Sequence, residues 1–376
     1  MLDLATVVRP GDGIICGQAC AEPQALLEAL VTQRAALGGV RLFLGASYSG
    51  IVKPEHADHL RLCSYGAIGR NRALADARVL EILPVPYSRL GSLIRDATIP
   101  SDVVMVQVSP PNVRGEYSLG LAADYLIPAL ETARAVIAEV NDQVPWTHSE
   151  RLLREEDFAL RVESSRPPAA LPAPKHSGLE AAIGEHAAAW VPDGATLEFG
   201  IGALPDAICS FLRDHRNLVV HSGTVGDGVI ELDARKHDCA MLIGSRRLFE
   251  FARENHTVRL RSSEYTHDPR VLASIERFVA INSAVEVDLT GQVNSEVANG
   301  SYVGAVGGAP DFARAASQSP GGVSIILIPS ARIVERLGGP VTVGRSDAGV
   351  IVTEKGAADL RGCSLRERER RMASIR

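Results

Sequence analysis

The chain repeats itself. Pro10 and Pro23 are spaced as Pro192 and Pro205 are, and Ala25 and Leu30 take the places of Ala207 and Leu212. The run from Gly39 to Gly45, followed by Gly50, matches Asn217 to Gly223, followed by Gly228. Further on, DVVMVQVSPPNVRG, ending at Gly115, matches FVAINSAVEVDLTG, ending at Gly291. An offset of roughly 180 residues held across these blocks means two copies of one plan rather than one large sheet. Each half alternates β-rich apolar runs (Val103 to Val108, Val279 to Ile281, Val323 to Ile328, Val350 to Val352) with helical stretches such as Tyr125 to Val140. That alternation predicts α/β domains with mostly parallel sheets. Glu163 to Lys175 is dominated by Pro, Ala and Ser and has no apolar period, which marks a stiff linker. The expected organisation is an N-terminal α/β domain over residues 1–162, a linker over 163–176 and a C-terminal α/β domain over 177–376.

At 376 residues both halves are long enough to bury their own cores. The composition, 46% hydrophobic and 22% charged, is that of a globular chain and not of a disordered one. Apolar runs are strand-sized, so no membrane span is expected. MLDLATVVRPGDG has no basic region leading into an apolar one, so no secretory signal is expected either. Six cysteines are scattered without CxxC pairs, which speaks against a zinc site or any other metal and for reduced thiols in a cytoplasmic setting. A net charge of −6 provides no basic field for nucleic acid. The run Arg366 to Arg371 mixes signs and reads as a solvated helix face.

The chemistry concentrates between Thr196 and Gly228. Thr196 to Phe199 is a short β-prone run, and Gly200-Ile201-Gly202 follows as a turn in which residues without a Cβ let backbone approach a ligand. Pro205 opens a helix in its first turn, and Leu218 to His221 returns as a second buried strand. A glycine turn feeding a helix N-terminus suits an oxyanion or a phosphate, and the carboxylate of Glu198 lies just before it. The bland reading of GIGALP is packing, because it is not the dinucleotide fingerprint GxGxxG; no such fingerprint follows any expected strand, which disfavours a nicotinamide dehydrogenase. Downstream, SEYTHDP brings Glu, Tyr, His and Asp close together in what is otherwise a polar loop. Glu286 and Asp288 fall on one strand face and read as structural. Gly304 to Phe312 is a second glycine-rich loop whose Gly307-Gly308 pair can turn backbone N–H groups toward a developing oxyanion.

In order along the chain, GIGALPDA, HSGTVGDGVIEL, EYTHDP, GQVNSE, VGGAPDFARAASQSPGGVSIILIP and VTEKGAADLRG resemble the acetyl-CoA hydrolase/transferase family of class I CoA-transferases, the group that includes 4-hydroxybutyrate and butyrate CoA-transferases. VSPPNVRGEYSLG and VIAEVN in the first half match it as well. The resemblance covers nearly the whole chain. It implies two similar CoA-transferase-like α/β domains with the active site in the cleft between them, acyl-CoA and a small carboxylic acid as substrates, coenzyme A as the carrier, and a homo-oligomer. In such enzymes a glutamate attacks the thioester to give an acyl-glutamyl anhydride, and the released thiolate converts this to a glutamyl-CoA thioester. The resemblance assigns oxyanion and CoA-binding roles to Gly200, Ile201, Gly202, Gly223, Gly307, Gly308, Asp311 and Phe312, and places Gln18, Glu22, His221 and Ser222 at the cleft.

This chain departs from the family pattern at the nucleophile. His221, Ser222, Asp227 and Gly228 fit the segment H-[ST]-E-x-x-x-D-G, but the nucleophile position is Gly223, which has no side chain to acylate. Relatives commonly carry Gln where this chain has Glu198, and often Asn where it has His267. The parallel pairing expected of the two strands brings Glu198 toward the space that Gly223 vacates. Three readings of Glu198 stay open. It is a general base on a water held in that space, giving hydrolysis of a CoA thioester or of an activated C–C bond beside one; it is a relocated nucleophile, preserving transfer; or it is a plain strand-edge glutamate in a protein that binds CoA esters without turnover. His267 is either an acid/base partner of Glu198 or a residue merely tolerated in that place.

Overall fold

The structure is a computed structural model and describes residues 2–172, 177–200 and 202–376. The chain divides into two compact units. The first comprises Met1–Val85, Arg89–Leu171 and Ala240–Glu264, and the second Pro86–Ser88, Pro172–Cys239 and Tyr265–Arg376. Both units therefore draw on residues from either half of the sequence.

In the first unit, strands β1 (Gly13–Cys16), β2 (Arg41–Phe43), β3 (Arg61–Ser64), β4 (Leu80–Ile82), β5 (Val103–Val108), β6 (Ala135–Asn141) and β7 (Leu160–Ser164) form one sheet in the order β7-β6-β5-β1-β2-β3-β4. Every neighbouring pair in it is parallel. All of β5 and β6 is buried, as expected for a sheet covered on both faces, and this is why they are mostly apolar, with only Gln107, Glu139 and Asn141 buried as polar members. Helix α1 (Gln24–Gln33) lays Leu26, Leu27 and Leu30 into the core with Ile14, Leu42 and Val103. Strand β7 takes in the first two residues of the proline-rich stretch; residues 173–176 of that stretch lie outside the described residues.

The expected helix from Tyr125 to Val140 is two elements. Helix α2 (Leu126–Thr132) stops at an extended Ala133, and β6 follows. Val136, Ile137 and Val140 are β-branched and pair with β5 in unbroken register from Val103↔Ala135 to Val108↔Val140. A short apolar run buried on all sides has no period by which helix and strand can be told apart, and the sheet decides it.

In the second unit, β8 (Thr196–Phe199), β9 (Leu218–Val225), β10 (Ala234–Leu242, of which 234–239 belong to this unit), β11 (Phe278–Ser283), β12 (Val323–Leu327), β13 (Val350–Thr353) and β14 (Gly356–Asp359) follow the order β14-β13-β12-β11-β8-β9-β10. The central row β11-β8-β9 reproduces β5-β1-β2 of the first unit, and the next strand outward, β12, corresponds to β6. The repeat in the sequence is thus a repeat of strand order. Helices α3 (Ala203–Cys209), α4 (Ser263–Thr266, of which 265–266 belong to this unit) and α5 (Ala309–Gln318) accompany the sheet, with α5 burying Phe312, Ala315 and Ala316 against Phe278 and Ala280 of β11. Among the described residues no helix is long and apolar enough to cross a membrane.

Candidate functional site

Strand β8 pairs with β11 residue for residue, with Glu198 opposite Ala280. Directly paired residues of parallel strands share a face, so the Glu198 carboxyl lies on the α5 side of the sheet, the face that carries Phe278, Ala280 and Asn282. It is 2% exposed. Its Oε2 accepts a 2.7 Å hydrogen bond from Asn282 Nδ2. Removal from water raises the carboxyl from 4.5 to about 8, against the opposing pull of the Asn282 amide and the backbone at Ile281.

The turn after β8 fits its glycines. The Gly200 N–H donates to Ile281 O at 2.8 Å, and a Cβ at Gly200 would stand 2.9 Å from Asn282 Oδ1, so glycine is what lets Asn282 pass close under the turn. Gly202, at φ 124°, opens α3 in a conformation that disfavours other residues. Ile201 lies outside the described residues. Asp206, in the first turn of α3, accepts the Gly228 N–H at 2.6 Å and anchors the segment after β9.

Strand β9 kinks where it passes Glu198, since its register with β8 shifts between Leu197 and Phe199. Ser222 closes the irregularity. Its Oγ accepts the Phe199 N–H at 3.1 Å and lies 2.6 Å from Thr224 O, so it is stitched to backbone and serves structure. His221 donates from Nε2 to Thr266 O at 3.0 Å, tying β9 to the end of α4.

At Gly223 the structure corrects the expectation of a vacated space. A Cβ there would meet His267 Cε1 and Nε2 at 2.9 Å and Phe312 Cε2 at 3.5 Å. The missing side chain has let an imidazole pack against the backbone, so the place is filled. His267 is 2% exposed, has Nδ1 2.9 Å from Thr266 Oγ1, and packs at a tilt against the rings of Tyr87 and Phe312, with centroids at 4.9 and 4.5 Å. Gly307 takes φ 58° and its carbonyl accepts the Tyr87 N–H at 2.9 Å. Asp311 accepts from Ser88 N and Oγ at 3.2 and 2.8 Å, and burial raises its carboxyl from 3.8 to about 6. Phe312 belongs to the apolar core under α5.

The second unit therefore gathers two groups on one face of its sheet: Glu198 with Asn282 and Gly200, and His267 with Gly223, Gly308, Phe312 and Tyr87. Gln18 and Glu22 lie in the first unit, where both are fully engaged. Gln18 bonds Asp124 Oδ2, the Ala46 N–H and Tyr65 OH. Glu22 accepts from the Ser47 and Ser49 hydroxyls and from the Tyr48 and Ser49 N–H groups. Sequence reasoning missed Asn282 and Tyr87. The first had a signal, a lone amide ending the apolar strand beside β8; the second, a tyrosine far away in sequence, had none. Among the described residues no group of three or more His, Cys, Asp or Glu could hold a metal ion.

Family models for the acetyl-CoA hydrolase/transferase N-terminal and C-terminal domains match residues 2–153 and 244–376. The chain is 35% identical to the 4-hydroxybutyrate coenzyme A transferase of Clostridium kluyveri, across 96% of this chain and 90% of that one. The chain belongs to the acetyl-CoA hydrolase/transferase family. Its fold is that of RipA from Yersinia pestis, with a TM-score of 0.94 at 29% identity, covering 99% of this chain and 92% of RipA. The acetyl-CoA hydrolase of Saccharomyces cerevisiae is 31% identical over 46% of this chain and 36% of its own. Relatives within the family thus carry transferase and hydrolase names, and the chain is an enzyme of this family.

Proposed function

We propose that this enzyme binds an acyl-CoA and hydrolyses its thioester, with Glu198 as the proton-transfer group. The observation that carries this reading is the buried Glu198 carboxyl, raised to about 8 and paired with an amide instead of a cation. Such a group is about nine-tenths protonated at pH 7, which makes it a poor carboxylate nucleophile and a well-poised acid and base. In the ionised form it takes a proton from water as the water oxygen bonds to the thioester carbon. The tetrahedral oxyanion then collapses, the C–S bond breaks, and the same proton goes to the CoA thiolate. We assign the N–H groups of Gly202 and Gly308 to the oxyanion. His267 is the second titratable group of the site.

The test is to incubate the protein with a panel of CoA thioesters, with and without acceptor carboxylates, and to follow free thiol and new thioester by mass. Hydrolysis releases thiol without an acceptor, and Glu198→Gln reduces that release about 10²- to 10⁴-fold. Unchanged turnover in this variant would remove Glu198 from the chemistry. A second reading, CoA transfer through Glu198 as a relocated nucleophile, draws on the transferase names among the relatives; strict dependence on an acceptor would select it.

A further inference from the structure

Glycine at 223 and 308 is not demanded by the backbone. Gly223 lies inside β9, and Gly308 has φ −89° and ψ −10°, conformations open to any residue. What excludes a side chain at 223 is the His267 ring, and at 308 the same ring excludes one together with Phe312, whose Cε2 would lie 2.8 Å from the added Cβ. A Cβ at Gly308 would stand 2.6 Å from His267 Nε2 and 2.9 Å from its Cδ2, and one at Gly223 would stand 2.9 Å from Cε1 and Nε2. Tyr87 and Phe312 both pack against the ring, and Thr266 Oγ1 lies 2.9 Å from Nδ1, so a displaced ring gives up three contacts.

We propose that His267 is the residue that selects the chemistry of this site: its imidazole takes the space of a side chain at 223, so that position cannot bear a reactive group while His267 is present. Positions 223 and 267 are then an exchange pair, one arrangement admitting a carboxylate on β9 and the other an imidazole on the segment after α4. The functional half of this inference rests on the hydrolytic reading above; the steric half does not.

The experiment compares Gly223→Glu, His267→Asn and the double variant in the full chain, with butyryl-CoA as donor and propionate as acceptor. In the double variant the introduced carboxylate attacks the thioester carbon and the C–S bond breaks, giving a mixed anhydride and CoA thiolate. The thiolate then attacks the protein-side carbonyl of the anhydride, releasing butyrate and leaving CoA bound to the protein as a thioester. Attack by propionate and return of the thiolate complete the exchange. The expected result is propionyl-CoA, and a CoA-sized mass increment on the protein without acceptor, in the double variant and at least about tenfold less in Gly223→Glu alone. Gly223→Glu alone should also lower Tm by about 5 °C or more, and by less than half as much in the His267→Asn background. Equal transfer by the single and double variants would overturn the proposal, as would a folded double variant without transfer. Gly223→Ala is the control should the glutamate variants not fold: an equal loss of Tm in both backgrounds removes the steric pairing, independently of whether the unaltered enzyme hydrolyses thioesters.

Discussion

Glu198 shows how one residue's environment decides what it can do. A strand-edge carboxylate open to water would be ionised at neutral pH; under α5, with an amide for a partner, it stays protonated until about pH 8. Unfolding returns it to its ordinary 4.5, so between those values the folded state binds the extra proton and stability falls as pH rises. At about 1.4 kcal/mol per pH unit the penalty reaches an upper bound of roughly 5 kcal/mol by pH 8. Glu198→Gln keeps a carbonyl oxygen for Asn282 Nδ2 and cannot ionise. It should therefore gain stability over the unaltered enzyme steadily from pH 5 to pH 8 while losing activity, and urea unfolding at several pH values measures this. A constant difference in stability across that range would mean that the group is solvated. On the proposed hydrolytic role of Glu198, kcat/KM of the unaltered enzyme should climb with pH toward about 8, since that role needs the base form to accept a proton.

At the scale of elements, the turn, kink and loop around β8, β9 and α5 share a device: a side chain or a missing one is matched to a backbone irregularity. Ser222 closes the kink between β8 and β9 by accepting the Phe199 N–H. Ser222→Ala leaves that buried donor without its partner, so it should destabilise by about 1–3 kcal/mol and increase hydrogen exchange at Phe199 above that of other β8 amides. Uniform loss of protection along β8 would mean that the residue supports the fold generally and not this junction. These irregularities also mark the limit of what the sequence could disclose. Gly200, Gly202 and Glu198 lie within one short segment, so their spacing alone was enough to mark it as a candidate site. His267 and Tyr87 come from distant segments, and nothing local says that the ring of one will pack against the other or fill the place beside Gly223. The same limit explains β6: its neighbour β5 makes it a strand, and β5 lies far away in the chain. Repeat, strand alternation and family motifs were legible because each is a pattern within the chain; packing partners were not, because they are matched across it.

Across the whole molecule, buried carboxyls set the response to pH. Burial raises Glu22 and Glu139 in the first unit and Glu198 and Asp311 in the second, in each case as the leading cause and despite hydrogen bonds that pull the other way. Each contributes stability that is fully present below its unfolded value and is lost as pH rises through its folded one, which for Asp311 means up to about 6 and for Glu198 up to about 8. The opposite group, whose carboxyls are held low by hydrogen bonds and ion pairs, includes Asp268, Asp359 and Glu367. Its contribution is lost as pH falls through the folded values, below the ordinary carboxylate range. The two trends cross near the bottom of the first window, so Tm should peak at about pH 5 and decline toward pH 8. In that decline unfolding releases protons. Calorimetry at pH 7 should therefore give a smaller apparent unfolding enthalpy in imidazole than in phosphate, because the more exothermic protonation of imidazole offsets more of the heat absorbed. Equal enthalpies in the two buffers would show that these carboxyls are ionised in the folded chain, and with them Glu198.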